Sequence, residues 1–179
     1  MNPYLLSAVC IFVFMSLMCV VALLRKNNGI ADIAWGLGFI LVTWATFQNS
    51  GTNFPKQKLV LFIISMWGLR LSSYIAIRNW GKPEDFRYAN WRKEWGNNVA
   101  LNTFLRVFML QGFIMWLMCL PVLVINSTPH TTNLFVLYLI GAALWVTGFF
   151  FESLADYQML CFKDNPAHKG RIMTHGLWK

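Results

Sequence analysis

Residues Leu5–Leu24 read LLSAVCIFVFMSLMCVVALL, a run of 20 residues that contains no charge. An α-helix of this length covers about 30 Å, which is the thickness of the hydrocarbon core of a bilayer. Neither a basic region nor a small-residue cleavage pattern precedes Arg25, so the run does not look like a cleaved signal peptide. It is predicted to stay in the protein as a membrane-spanning helix.

Four further apolar runs follow the first one, and two of them carry a single charge each, Asp32 and Arg70. The chain of 179 residues is 57% hydrophobic and 12% charged, a composition outside the range of soluble domains. The sequence therefore predicts an all-α integral membrane protein, a bundle of five transmembrane helices that forms a single domain over residues 1–179. The predicted helices are Leu5–Leu24, Ile30–Phe47, Leu59–Ile77, Val107–Ile125 and Leu134–Phe162.

Basic residues in the loops predict the orientation of these helices. With the amino terminus outside, eleven lysine and arginine residues fall in cytosolic segments, and only Lys56 and Lys58 fall on the other side. Membrane proteins keep such an excess of positive charge in the cytosol, so the carboxy terminus is predicted to be cytosolic. The net charge of +8 then reflects topology. The expected partner is the lipid bilayer, nucleic acid is not predicted, and the oligomeric state is open.

The longest connection, Arg78–Thr103, contains the signal of an additional helix. Its segment Pro83–Trp95 opens with a proline and two acidic residues and continues with aromatic and basic residues. Helical spacing places Tyr88, Trp91 and Trp95 on one face. We interpret the segment as an interfacial helix whose rings lie at the level of the lipid headgroups. A lid over a cytosolic cavity is the alternative.

One stripe of the third predicted helix carries Arg70, Tyr74 and Arg78, which follow one another at intervals of four residues. Arg70 lies about 10 Å inside the cytosolic end of this helix, at 1.5 Å per residue. A charge at the bilayer centre costs about 2.5–3.5 kcal/mol, so Arg70 is expected to have a partner or to face a wet cavity. A structural ion pair and a contact with a ligand would both meet this need.

The fifth predicted helix ends in two carboxylates, Glu152 and Asp156, which lie four residues apart. Two such charges about 6 Å apart repel by roughly 3 kcal/mol at an effective dielectric constant of about 20, so hydrogen-bond donors are expected between them. Lys163 falls on the same helix face. A solvated extension of the helix beyond the membrane is the alternative interpretation.

Topology brings ionisable groups from four predicted helices to the cytosolic third of the bundle. Asp32 begins the second helix, where its charge also suits the helix dipole. We expect these groups to form a polar pocket that is open to the cytosol and has an apolar floor. Its expected members are Asp32, Arg70, Tyr74, Arg106, Glu152 and Asp156.

The sequence predicts neither a metal site nor a disulfide. The four cysteines form no close pair, and no two histidines have the spacing of metal ligands. Gly36 and Gly38 resemble the start of a dinucleotide fingerprint, but they lie within an apolar helix. Together with Gly141 and Gly148, they are predicted to allow close packing of helices.

Several short motifs resemble the steroid 5α-reductase superfamily. They are the run Glu-Ser-Leu-Ala-Asp-Tyr-Gln at Glu152–Gln158, the pair Phe162-Lys163, the pair Gly170-Arg171 and the triplet Gly176-Leu177-Trp178. The segments Asp32–Phe39 and Arg78–Tyr88 resemble bacterial members of this superfamily that are filed as a domain of unknown function. Together the motifs extend over most of the chain.

The resemblance implies an enzyme of the 3-oxo-5α-steroid 4-dehydrogenase type in a bacterial inner membrane. Such an enzyme reduces a carbon–carbon double bond conjugated to a carbonyl in a lipid-like or steroid-like substrate, and it uses NADPH. On the matching positions, the cofactor would be contacted by Glu152, Asp156, Lys163, Arg171 and Trp178. The expected catalytic groups are Tyr74, assisted by Arg70, and Asp32.

Members of the superfamily continue beyond the Gly-Leu-Trp segment into a Ser-Arg-His-Pro-Asn-Tyr motif and further helices. This chain stops at Lys179. We therefore expect a truncated enzyme, inactive if the missing helices complete the cofactor site.

Two other functions are open on the sequence alone. A membrane methyltransferase of the isoprenylcysteine type shares the architecture and would bind S-adenosylmethionine instead of NADPH. A non-enzymatic transporter or assembly protein would use the same charged groups for contacts with ions or lipids.

Overall fold

The computed structural model describes residues 1–128 and 135–179, and these are helical throughout apart from short turns and the chain ends. The structure is 85% helical and contains no strand among the described residues. In chain order the α-helices are α1 Pro3–Arg25, α2 Ile30–Ser50, α3 Pro55–Asn79, α4 Phe86–Trp95, α5 Val99–Asn102, α6 Leu110–Ser127 and α7 Phe135–Asp164.

Among the described residues, five helical stretches are long and apolar enough to cross a membrane: α1, α2, α3, the continuous stretch Phe86–Ser127 and α7. The predicted all-α membrane fold is thereby confirmed, and the protein is a multi-pass membrane protein. Its orientation in the membrane stays a prediction.

The helices extend beyond the apolar runs because polar residues cap them. Pro3 opens α1, and the side chain of Asn2 accepts a hydrogen bond of 2.9 Å from the Tyr4 N–H. Pro55 opens α3 four residues before the predicted start, and Gln57 Oε1 accepts from the Phe54 N–H at 3.1 Å. Such caps satisfy N–H groups that have no partner in the first helical turn.

The predicted helix in the Arg78–Thr103 connection is confirmed as α4. A 3₁₀ turn at Gly96–Asn98 and the short α5 join it to a π-helical stretch, Thr103–Met109, that continues into α6. The sequence pattern did not predict the π-helical stretch, since its apolar spacing does not differ visibly from that of an α-helix.

The described residues fall into two compact units, one within 1–128 and the other within 135–179. In the first unit α2 is central, because it packs against α1, α3 and α6. Its core is built from fully buried side chains of these helices, among them Met15, Val42, Met115 and Leu123. The expectation of a single domain stays a prediction.

Small residues set the distance between α2 and α3. A Cβ atom added to Gly36 would overlap the Gly68 carbonyl oxygen and lie 2.5 Å from Ser72 Oγ. The same hydroxyl donates to the Ile33 carbonyl at 2.8 Å. A Cβ on Gly38 would lie 2.5 Å from the sulfur of Met115. Close packing is thus confirmed at Gly36 and Gly38.

Within their own unit, Gly141 and Gly148 of α7 show no such contact, since an added Cβ would meet no described atom there within 4 Å. The packing role predicted for these two glycines therefore has no support inside residues 135–179.

The substitution Gly36→Ala should destabilise the protein by about 1–3 kcal/mol, because a backbone carbonyl of α3 would have to move. Thermal unfolding of the protein in detergent measures this effect. Gly141→Ala is the matched control, since it adds the same methyl group at a site where an added Cβ would meet no described atom of its own unit within 4 Å. Equal unfolding midpoints for the two variants would contradict the packing role of Gly36.

Candidate functional site

Three of the predicted cofactor residues lie on one face of α7. The helix continues without interruption to Asp164, so Glu152, Asp156 and Lys163 form a stripe along it. The two carboxylate residues are half-buried, and Lys163 is exposed. The predicted stripe is confirmed in that all three residues lie on one face of a single continuous helix.

The chain after α7 folds back onto the helix. The indole Nε1 of Trp178 donates to the Ala155 carbonyl at 3.0 Å, and the Leu177 N–H donates to Gln158 Oε1 at 2.9 Å. Gly176 has a φ of 65°, and a Cβ there would also overlap the Gln158 side chain, so this turn requires glycine. The returning chain thereby holds Trp178 beside the helical turn that carries the two carboxylates.

Ring contacts fix the start of the returning segment. The rings of Phe162 and His168 stack with centroids 4.3 Å apart, and His168 Nδ1 lies 3.2 Å from the Phe162 carbonyl oxygen. The Arg171 N–H donates to the His168 carbonyl at 3.0 Å. The backbone of Arg171 is therefore fixed at the carboxyl end of α7, the end that carries Lys163, and its side chain is exposed.

A second set of predicted residues lies in the first unit, along α3. The guanidinium carbon of Arg78 lies 5.6 Å from the centroid of the Tyr74 ring, which is a cation–π distance. One turn earlier, Arg70 is half-buried as a residue, and its Nε and Nη2 atoms are buried. The predicted stripe of Arg70, Tyr74 and Arg78 is confirmed as one face of a continuous helix.

Asp32 is hydrogen-bonded to Tyr88, a residue that the sequence pattern placed among the headgroup-level rings of the interfacial helix. The hydroxyl of Tyr88 on α4 donates to Asp32 Oδ1 at 2.9 Å, and Tyr88 is only 7% exposed. Its ring does contact Trp91, with centroids 5.7 Å apart, but its polar end faces α2. Tyr88 is therefore a buried residue that is hydrogen-bonded to the half-buried Asp32, and not merely a headgroup-level ring.

A polar cluster that the sequence did not predict attaches α4 to the α1–α2 turn. Arg92 donates twice to Glu84, with Nη2–Oε1 at 2.9 Å and Nε–Oε2 at 3.2 Å. Glu84 Oε1 also accepts from the Asn28 N–H at 2.6 Å. The fully buried Asn28 accepts from Arg92 and donates to Thr103 Oγ1 at 3.3 Å. The Glu84–Arg92 ion pair thus joins α4 to the α1–α2 turn and, through Asn28, to the π-helical stretch.

A neighbouring ion pair differs in its burial. The Arg87–Asp85 pair has nearly the same length, 3.0 Å against 2.9 Å for Arg92–Glu84. The side chains of Arg87 and Asp85 are 62% and 34% exposed, whereas those of Arg92 and Glu84 are 21% and 10% exposed. The hydrogen bonds from the side chain and the main chain of Arg87 hold the pKa of the Asp85 carboxyl below its ordinary value. Because water screens the exposed pair, it contributes little to stability.

The predicted pocket draws its members from both units. Asp32, Arg70 and Tyr74 lie in the first unit, and Glu152 and Asp156 lie in the second. The convergence of the two sets on one pocket stays a prediction. Arg106, in the π-helical stretch, has an exposed side chain.

The fold and these residues define a helical membrane protein with polar and ionisable groups gathered at the ends of its spans. The chain belongs to the DUF1295 family, described as a protein of unknown function, whose profile matches residues 18–179. The family is known as steroid 5α-reductase-like, in agreement with the resemblance seen in the motifs. Comparison with curated proteins and with solved structures gave no match.

Substitution Glu84→Gln should loosen α4, because it removes the charge that holds Arg92 and Asn28 together. We expect a local loss of about 1–3 kcal/mol, and therefore roughly tenfold faster trypsin cleavage after Arg87, Arg92 or Lys93. Asp85→Asn is the matched control, since the neighbouring pair is exposed and asparagine also caps helices. Equal cleavage rates in the two variants would contradict the anchoring role of Glu84.

Proposed function

We propose that the protein is a membrane oxidoreductase that uses NADPH to reduce a carbon–carbon double bond conjugated to a carbonyl in a lipid-like or steroid-like substrate. The observation that carries this proposal is the element formed by α7 and the returning chain. It sets two carboxylates, two basic side chains and an indole along one helix. This element lies within the region that matches the family.

The chemistry of these side chains fits a dinucleotide with a 2′-phosphate. Glu152 and Asp156 are acceptors that suit ribose hydroxyls and the nicotinamide amide, and they would be relieved of their mutual repulsion by such donors. Lys163 and Arg171 are exposed cations that suit phosphate groups. Glu152 and Lys163 are about 16 Å apart along the helix at 1.5 Å per residue, so acids and bases would contact different parts of an extended cofactor.

Trp178 complements these polar groups. Its indole nitrogen is held by the Ala155 carbonyl, while 44% of the residue is exposed. A flat aromatic face in a fixed orientation is suited to contact with a planar ring. We propose that this face contacts one of the rings of NADPH.

The catalytic groups of the proposed reaction lie in the first unit. When bound, NADPH supplies a hydride to the β-carbon of the enone, and negative charge develops on the carbonyl oxygen. Tyr74, beside the Arg78 cation and assisted by Arg70, would donate a hydrogen bond to that oxygen. A proton must then reach the α-carbon. Asp32 in its protonated form would deliver it and take up another from water, while the Tyr88 hydroxyl, which donates to Asp32 Oδ1 at 2.9 Å, would keep its own hydrogen and hold the carboxyl group in place.

The spans themselves suggest the kind of substrate. The outer faces of α1, α2, α3 and α6 expose large apolar side chains, so the unit lies in contact with lipid. A substrate dissolved in the bilayer would reach the membrane-embedded groups laterally, whereas a soluble cofactor would come from the aqueous side. A hydrophobic enone is therefore the substrate class that we propose.

Ligand competition tests the cofactor. The detergent-solubilised protein should bind 2′,5′-ADP at least tenfold more tightly than S-adenosylhomocysteine, because the basic side chains suit the 2′-phosphate. Arg171→Ala should weaken this binding about tenfold, while Lys169→Ala, two residues away, should leave it within about twofold. Preference for S-adenosylhomocysteine would instead identify a methyltransferase and overturn the proposal.

The acidic pair gives a separate test. Asp156→Asn should lower NADPH affinity about tenfold, measured by the fluorescence of the bound cofactor. It should leave the unfolding midpoint of the empty protein unchanged or raised, because it also removes a repulsion between carboxylates. Asp164→Asn, at the end of the same helix, is the control for a general change of charge. A loss of stability that matches the loss of affinity would indicate a purely structural role for Asp156.

A further inference from the structure

Gln158 of α7 holds the returning chain by a side-chain hydrogen bond. Its Oε1 accepts from the Leu177 N–H at 2.9 Å, one residue before Trp178. Along the helix it lies two residues after Asp156. None of the roles proposed above for this element uses Gln158. It is therefore a further polar side chain of the proposed cofactor element, close in the chain to a carboxylate and bonded to the segment that carries the indole.

The hydrogen bond to Leu177 determines the orientation of the Gln158 amide group. A backbone N–H can only donate, so the side-chain oxygen must face Leu177 and the NH₂ group must lie on the other side of the amide carbon. A Cβ atom added to Gly176 would lie 2.9 Å from Cδ and 3.0 Å from Nε2 of Gln158, so the amide group packs directly against the Gly176 backbone. Two contacts with the returning chain thus fix the position of the NH₂ group.

The NH₂ group of Gln158 is available to a ligand. It makes no hydrogen bond to any residue that the structure describes, and it is not buried. The residue as a whole is half-buried. Its oxygen is already engaged by Leu177, so what the side chain offers to a ligand is a donor. The carboxylates of Glu152 and Asp156 are acceptors, so Gln158 adds the opposite hydrogen-bonding character to the same helix.

The Gln158 amide and the Trp178 ring are held on the same face of α7. The carbonyl of Ala155 accepts from the indole of Trp178 at 3.0 Å, and Gln158 follows Ala155 by three residues, which places both attachment points on one face. They are about 4.5 Å apart along the helix axis, at 1.5 Å per residue. A fixed donor beside an exposed aromatic face is suited to recognise a planar ring that has a hydrogen-bond acceptor at its edge.

We propose that Gln158 is a specificity-determining residue of the cofactor site, where its NH₂ group donates to an acceptor on the ring that contacts Trp178. This inference rests on the proposed function and adds one contact to it. Both ring systems of NADPH carry such an acceptor, the ring nitrogens of adenine and the carboxamide oxygen of nicotinamide. A planar ring without an acceptor at its edge would leave the donor unpaired and would bind more weakly.

Binding of NADPH and of 2′,5′-ADP to the detergent-solubilised protein tests the inference. Gln158→Glu keeps a side chain of the same length and an oxygen for the Leu177 N–H, so the unfolding midpoint should stay close to that of the wild type. It lacks the NH₂ donor, so the affinity for NADPH should fall about tenfold. Tyr157→Glu is the matched control, since it adds the same charge at the neighbouring residue, which is 65% exposed, and it should keep the affinity within about twofold.

The two ligands identify the ring. A loss of affinity for both would place the acceptor on adenine, because 2′,5′-ADP has no nicotinamide, and a loss for NADPH alone would place it on nicotinamide. Either result supports the inference.

Two results would overturn the inference alone, wild-type affinity in Gln158→Glu or an equal loss of affinity in Tyr157→Glu. If Gln158→Glu does not fold, the uncharged Gln158→Met replaces it. A tenfold loss of affinity at an unchanged unfolding midpoint then supports the inference, and any other result overturns it. Failure of the wild-type protein to bind either ligand would overturn the proposed function and this inference together.

Discussion

The hydrocarbon of a bilayer offers no hydrogen-bond partner, and this constraint explains where the polar groups of the protein lie. Inside the spans, hydroxyl groups turn back to the carbonyl one helical turn earlier, as Ser16, Thr43 and Thr147 do. Polar groups that need partners from other segments gather at the ends of the helices. At one end Asn28, Glu84 and Arg92 form a connected cluster, and at the other Gln57 bonds both Thr52 and Asn126. Function is therefore expected at the ends of the spans.

Much of the fold follows from local sequence, because an apolar run of about 20 residues has one stable form in a membrane. The five spans and α4 were predictable for this reason, and the stripes on α3 and α7 follow from helical spacing. The pairs Tyr88–Asp32 and Glu84–Asn28 were not predictable, since 56 residues separate their members and nothing local marks them as partners. The Glu84–Arg92 pair was not predictable either, because residues eight positions apart are not neighbours on one helix.

Two ion pairs, Arg87–Asp85 and Arg92–Glu84, lie at the start of α4. They show that burial, and not the type of charge, decides how much an ion pair contributes to stability. Both join an acid to an arginine at about 3 Å. The exposed pair adds to a helix cap and is screened by water. The half-buried pair also bonds Asn28, and through it Thr103, so removal of one charge would leave several groups without partners. The sequence contains both pairs side by side, but only the structure distinguishes them.

The contacts of α4 also bear on the two interpretations of this helix, a fixed interfacial helix and a lid over a cytosolic cavity. A lid must separate from the body of the protein in each catalytic cycle, and here that motion would break the Glu84–Arg92–Asn28 cluster and the Tyr88–Asp32 hydrogen bond together. At about 3 kcal/mol for the set, the open form would amount to less than about one molecule in a hundred. Since Asp32 is also a proposed catalytic group, α4 serves better as a fixed support for its carboxylate than as a moving cover. A substrate would then enter between the spans, from the bilayer, and not past α4.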